Sequence, residues 1–522
     1  MMLRRRPYDD LYARFHWDLP DELNLAHQVC DGWAATEPDR IALIDLRGPQ
    51  RRDVTYGQLW DLSRRVEAAL IEKGVMRGDR VGVLLSQSPL CAAAHVAAWR
   101  LGAISVPLFT LFKREALETR IDDSGLGVVV TDAEGCETLR GFGLGLITRD
   151  RLPPASLGSH AGVVTGPDDA AVLIYTSGTT GTPKGALHGH RILTGHLPGV
   201  EMSHDFLGER GDVLWTPADW AWIGGLFDVL MPGLALGVPV VAARADKFTP
   251  EECGRICREG HVRNVFFPPT VLRMLKASET RIAGLRSVAS GGEPLGAEML
   301  AWGREALGVT INEFYGQTEC NMTVSSAGSL FAPRPGRIGR PVPGHRLAVL
   351  DANGEPTDGE GDIAVKRGSA SMMLEYWRNP RATAAKFKGR WMLTGDRGQW
   401  EDGFLRFLGR EDDVINSAGY RIGPSEIEDC LMAHDAVANV GVVGKPDPVR
   451  GEIVKAYVVA KPGADPSALG PELQDWVKAR LSAHLYPREI AFLDALPMTV
   501  TGKVVRRELK ARAQGEAEGN NP

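Results

Sequence analysis

The sequence predicts an α/β fold: a large N-terminal domain of parallel α/β sheets plus a β-rich subdomain, then a small mobile α+β domain at the C-terminus. Three observations lead there. Apolar strand-like runs alternate with helical patterns up to about residue 410. Those runs are continuously apolar, which suits strands buried on both faces. The texture changes after Gly336, to strand pairs punctuated by glycine, and again after Arg410, to a fresh mixture of helix and strand.

Residues 81–85 read as a strand, 90–101 as an Ala-rich helix and 103–108 as the next strand. Segments 128–131, 171–175, 238–242 and 264–267 repeat the strand signal. Past Gly336, strands at 346–350 and 361–366 flank an Asn353-Gly354 turn. Beyond Arg410 the pattern predicts helices at 424–433 and 471–484 and strands at 437–443 and 453–460. The polar tail 514–522 reads as disordered. A chain of 522 residues allows two or three folding units at roughly 100–200 residues each. The boundaries expected here are 1–411 and 412–522.

Hydrophobic residues make up 43% and charged residues 24%, a globular composition with room for a large core. The net charge of −6 gives no electrostatic reason for nucleic acid or an anionic membrane as partner. Arginines at 4–6 run into Pro7-Tyr8-Asp9-Asp10, where a signal peptide needs an apolar stretch. The most apolar segment, 95–112, is broken by Arg100 and Pro107, too short to span a bilayer. A cytoplasmic protein is expected. The seven cysteines are odd in number and scattered, against a disulfide framework. Cys253, Cys257 and His261 stand at i, i+4, i+8 of a possible helix. No fourth metal ligand follows at a familiar spacing, so core packing is the preferred reading.

Residues 175–185 read Tyr-Thr-Ser-Gly-Thr-Thr-Gly-Thr-Pro-Lys-Gly and follow a predicted strand. Glycines let a backbone approach closely, hydroxyls donate hydrogen bonds, and Lys184 supplies charge, so the loop suits a phosphate cradle. It is not a Walker A loop, because Pro183 stands where that pattern needs glycine. An ordinary flexible loop would share this composition. The string itself, however, resembles the signature loop of the adenylate-forming superfamily, and further motifs follow in that family's order. Tyr315-Gly-Gln-Thr-Glu319 is similar to its second nucleotide motif, Gly292-Glu293-Pro294 to its adenine-lining segment, and Thr394-Gly395-Asp396 to its ribose motif. Arg410, Gly419 and Arg421, and the 497–503 stretch ending in Thr-Gly-Lys, match positions at and beyond the hinge. The impression is nearest to acetyl- and medium-chain acyl-CoA synthetases, on residues 419–428.

The resemblance implies an AMP-forming acyl-CoA synthetase using ATP, Mg²⁺ and coenzyme A. It implies nucleotide contacts from Thr176, Ser177, Gly178, Thr179, Thr180, Gly181, Lys184, Gly292, Glu293, Pro294, Tyr315, Gln317, Asp396 and Arg410. Thr318 would meet the α-phosphate, Glu319 would help hold Mg²⁺, and Lys503 and Arg421 would act in catalysis. Asp412 matches the hinge residue, and Gly419 the segment lining the CoA channel. Attack of a carboxylate on ATP brings like charges together, and Mg²⁺ with Lys503 would offset that repulsion. No cysteine sits in a nucleophile motif, so the thiol is expected from a carrier, most simply CoA.

For the acid, Trp220, Trp222, Ile223 and Gly224 are expected to line the pocket wall. Gly316 stands where acetate-specific relatives have tryptophan, and Gly291 where they have a branched residue. Both changes remove side-chain volume and predict a deeper pocket, for a short-branched or medium-chain aliphatic acid. An aryl acid remains open, as does loading of a carrier protein in place of CoA, or a nucleotide-binding protein without activity. The Lys503 segment, followed by Arg506 and Arg507, is also similar to the acylation site of bacterial relatives, implying a lysine acetyltransferase and deacetylase as partners. Oligomeric state is not legible.

Overall fold

The computed structural model describes residues 3, 5–154, 162–176, 183–243, 248–293, 295–417, 420–448, 450–481, 485–499 and 503–519. Two sheets form the large domain. A nine-stranded sheet runs in the order Arg340–Pro341, Cys320–Ser325, Ile311–Gln317, Ser287–Gly291, Asn264–Phe266, Leu214–Trp215, Val240–Ala242, Ile41–Asp45, Arg52–Thr55. Its centre is parallel and its two margins antiparallel. A seven-stranded sheet runs Glu375–Tyr376, Lys184–Gly189, Ala170–Thr176, Ile104–Pro107, Arg80–Leu84, Val128–Thr131, Gly145–Ile147, parallel from the third strand onward. The expected strands and the parallel sheet are therefore present.

Helix Pro89–Arg100 is buried on every face. That suits its Ala-rich sequence, and no described helix is long and apolar enough to cross a membrane. Trp99 donates its indole N–H to Ala171 O of one sheet and faces Phe227 on the helical side of the other. Arg100 closes the helix inside the protein, where Asp31 and Glu67 offset its charge. Burying that guanidinium is tolerable only because both carboxylates and Ser63 reach it.

A six-stranded sheet follows. Leu347–Leu350 lies between Pro356–Thr357 and Gly361–Lys366, and the long hairpin Trp391–Glu401/Phe404–Arg410 packs beyond. The Asn353-Gly354 turn is real, with Gly354 at φ +85°. It leads first into the short strand 356–357, and the strand 361–366 returns on the other flank. The last unit is a five-stranded sheet backed by Pro424–Met432, Pro466–Arg480 and Arg506–Ala517.

One expectation needs correction, and the core reading of the cysteines holds for Cys253 and Cys257 alone. The tail is helical through Ala517, not disordered from 514. Leu509 and Ala513 bury one stripe, and Glu516 pairs with the buried Lys455 ammonium and accepts from Tyr457. The Cys253–His261 trio does not share a face. Both thiols are in the core, while His261 leaves the helix at φ +54° and is exposed. Among the described residues no cluster of His, Cys, Asp or Glu could hold a metal ion.

Candidate active site

The phosphate-loop candidate falls between two strands that pair antiparallel, Ala170–Thr176 and Lys184–Gly189. Thr176 pairs with Lys184 across its base. Ser177, Gly178, Thr179, Thr180 and Gly181 lie outside the described residues, as do Pro294 and Gly419. Lys184 Nζ stands 5.5 Å from the Tyr376 ring centroid. The Tyr376 hydroxyl donates to Glu319 Oε1, and Lys386 Nζ lies 3.9 Å from the same oxygen. The hairpin base is thus tied to the turn that carries Thr318 and Glu319.

That turn joins Ile311–Gln317 to Cys320–Ser325. Tyr315 Oη donates to Asp396 Oδ2 at 2.6 Å, and Gln317 Nε2 donates to the same oxygen at 2.7 Å. Asp396 pairs in register with Arg410 across the long hairpin, and the Arg410 guanidinium lies 3.9 Å from its carboxylate. Burial pushes the Asp396 carboxyl above the usual carboxylate range, against the pull of Tyr315, Arg410, Gln317 and Lys386. Four side chains, from three separate stretches of the sequence, thereby act on one acidic group.

Gly292, at φ +99°, turns the chain out of strand Ser287–Gly291. Glu293 beyond it is held by Arg273 at 3.1 Å. Lys503 reaches this corner from the C-terminal domain. A Cβ placed on Gly292 would stand 3.7 Å from Lys503 Cε and 3.4 Å from the Trp222 ring. Burial lowers the Lys503 ammonium below the ordinary lysine range, while Glu293 and Asp396 oppose the shift. Its loop is pinned at both ends of a short bridge, Lys503 N to Thr499 Oγ1 at 3.0 Å and Thr499 N to Lys503 O at 2.7 Å.

Asp412 sits in the helical turn Glu411–Asp413 between the two domains. Lys510 donates to Asp412 O and to Asp413, and Arg506 bridges Asp413 and Glu428. Arg421 pairs with Asn416 through its strand, and its side chain lies outside the described residues.

The expected acyl wall divides. Trp222 is half-buried, its ring over Gly224 and 5.7 Å from that of Phe266. Trp220 is fully buried in the core, as are Ile223 and Phe266, so it does not stand on an open wall. Both glycines stand tightly against side chains of neighbouring strands. A Cβ on Gly291 would lie 2.6–2.8 Å from the Phe314 ring, and one on Gly316 would lie 2.7 Å from Asn321 Cγ and overlap its Oδ1. Neighbouring side chains already occupy the volume each glycine gives up. The sequence reading missed Phe314 and Asn321, together with Lys386, Tyr376 and Arg273. None of these sits in a spacing pattern, and only the tertiary fold brings them to the site.

Two large sheets, a β-rich subdomain and a small domain that brings Lys503 beside Gly292 point to one class: an adenylating ligase. The AMP-binding enzyme family model matches residues 30–377, and that of the AMP-binding enzyme C-terminal domain matches residues 426–503. Acetyl-coenzyme A synthetase of Bacillus subtilis (strain 168) is 34% identical, over 97% of this chain and 94% of that protein. The crystal structure of Brucella canis acyl-CoA synthetase superposes with a TM-score of 0.73 at 34% identity, covering 99% of this chain and 100% of that one. That of the anthranilate CoA ligase AuaEII with anthranoyl-AMP gives 0.87 at 28% identity, covering 96% and 99%. The chain belongs to the AMP-binding enzyme family, in its acyl-CoA synthetase branch of AMP-forming acid–thiol ligases.

Proposed function

We propose that this protein activates a short or short-branched aliphatic acid, more bulky than acetate, as its acyl-adenylate and passes the acyl group to CoA. The observation that carries the reading is the convergence of Lys503 with Glu293, Asp396 and Arg410 beside Gly292 and Trp222. It is the arrangement the first half-reaction requires. A carboxylate oxygen attacks the α-phosphorus of ATP, the bond to pyrophosphate breaks, and charge builds on the phosphoryl oxygens. Lys503 sits where it can offset that charge. Asp396 and Arg410 would hold the ribose, and Tyr315, fixed through its hydroxyl, would offer its ring to the base. Thr176, Lys184 and Thr318 would meet the phosphates, with the loop residues between 177 and 181. In the second step the CoA thiol attacks the acyl carbon and AMP leaves. Residues 412–522 would turn about Asp412 between the steps, bringing Gly419 and Arg421 towards the thiol.

Glu319 fits a Mg²⁺ held mostly by substrate phosphates, because one carboxylate suffices there and its second oxygen is not engaged by Tyr376. Bound so, the ion would neutralise phosphate charge. Seven free cysteines suit a reducing compartment, in keeping with a cytoplasmic enzyme. The half-buried Lys503 would be open to an acetyltransferase only with the domain turned away.

The size limit is our reading of Trp222, Phe314 and Asn321, the side chains that stand against Gly224, Gly291 and Gly316. A second reading rests on the ring series Trp222–Phe266–Phe314, with centroids 5.7 and 5.2 Å apart, which could stack a flat aryl acid. AuaEII, holding anthranoyl-AMP, lends it weight. Pyrophosphate release across propionate, isobutyrate, butyrate, octanoate and benzoate tests both. Greatest turnover on octanoate would sink the size limit.

A further inference from the structure

Gly316 and its neighbour Asn321 carry information beyond size. The strand pairing slips between Tyr315 and Gln317, and that bulge sets Gly316 against Asn321 on the adjacent strand. Asn321 Oδ1 then stands where a side chain at 316 would project. Gly316 itself remains half-exposed, so the junction borders open space.

The orientation of the Asn321 amide is fixed by chemistry. Its Nδ2 donates to both oxygens of Asp228, at 2.9 and 2.8 Å. With Asp228 ionised neither of its oxygens can donate, so the amide nitrogen faces Asp228 and the carbonyl faces Gly316. Asp228 is locked in turn by His196 Nδ1 at 2.9 Å. All three residues are at most 4% exposed. Asp228 stands one helical turn beyond Gly224, whose face carries the Trp222 ring, so the relay backs the wall already described. Among the described residues no donor reaches Asn321 Oδ1. A carbonyl oxygen beside open space is costly to cover with a methyl group and favourable to cover with an O–H or N–H.

We propose that Asn321 is a specificity-determining residue that reads a hydrogen-bond donor on the acid, so that the preferred substrate is a short carboxylic acid bearing a hydroxyl or amino group at the far end of its acyl chain. Asp228 and His196 act through Asn321 as positioning residues. The inference rests on the assignment of Gly316 to the acyl wall. It differs from a size filter, because a size filter treats a hydroxyl and a methyl alike. A site built around a hydrogen bond rejects the analogue that lacks it.

The test is kcat/KM for acid-dependent pyrophosphate release on matched pairs: valerate against 4-hydroxybutyrate, butyrate against 3-hydroxypropionate, and 4-methylbenzoate against 4-hydroxybenzoate. The wild-type enzyme is expected to favour the donor-bearing member of at least one pair by about 10–100-fold. Asn321→Leu should reverse that preference, and Asp228→Asn should erode it by letting the amide turn over. Equal turnover within every wild-type pair would overturn the proposal without any variant. So would a donor preference that survives unchanged in a folded Asn321→Leu enzyme. If no acid of the panel releases pyrophosphate, the acid-activating reading itself fails, a result distinct from equal turnover.

Discussion

Lys503 must be charged to steady the phosphoryl oxygens, yet burial makes its ammonium easier to deprotonate than an ordinary lysine at 10.5. The sign follows directly. Charge is complete at low pH and is lost as pH rises through a value depressed below the ordinary one. Adenylation is therefore expected to fall on an alkaline limb that begins earlier than free lysine would allow. Lys503→Arg should push that limb out of range, because guanidinium does not titrate there. Lys503→Ala should slow pyrophosphate release by about 10²–10³-fold while leaving thioester formation from synthetic acyl-adenylate largely intact. Equal loss in both steps would place the lysine elsewhere in the mechanism. At the acyl wall, Gly316→Ala should reduce kcat/KM for short acids, because its methyl must displace Asn321 from its bonds to Asp228. A panel of acids on the purified variant checks this, and unchanged selectivity would contradict the geometry.

The long hairpin Trp391–Glu401/Phe404–Arg410 presents Asp396 and Arg410 side by side and runs straight into the 411–413 turn. The expected ribose contacts and the expected hinge are therefore parts of one element. Lys510 and Arg506, from the last helix, clamp that turn while Lys503 is at the site. Exposed ion pairs contribute little, so Lys510→Ala should slow adenylation only about 2–5-fold and leave the thioester step unchanged, as single-turnover assays of each half-reaction would reveal. The same helix supplies Glu516 to Lys455. Glu516→Ala leaves that buried ammonium with Glu489 alone and should lower the stability of the C-terminal domain by about 1–3 kcal/mol, read from urea unfolding. A change within error would mean Glu489 carries the pair. The sequence made part of this element visible. Arg506 and Arg507 marked a basic run, but the polar composition after Gln514 hid a helix whose stability comes from partners more than fifty residues away.

Across the whole molecule, legibility followed the range of the interactions. The strands at 80–84, 104–107, 128–131 and 170–176 announced themselves because burial on both faces demands continuous apolar sequence. The motif residues of the proposed nucleotide corner could be named in advance because short motifs carry that chemistry. Structure then brought Tyr315, Gln317, Asp396 and Arg410 onto one network, and Lys503 to its edge. The acid pocket was not readable in that way. Gly291 and Gly316 report lost volume in sequence, but whether a neighbour refills it depends on the packing of Phe314 and the bulge that delivers Asn321. Trp220 and Trp222, two positions apart, look equivalent in sequence, yet one is core and the other faces the site. The central claim is that this assembly turns a carboxylic acid and ATP into an acyl-adenylate that CoA discharges. The most direct test is exchange of labelled pyrophosphate into ATP, with and without a short acid, followed by AMP release on adding CoA. The account predicts exchange only when the acid is present and steady AMP formation only when CoA is added. Exchange independent of acid, or AMP formation at the same rate without CoA, would contradict it.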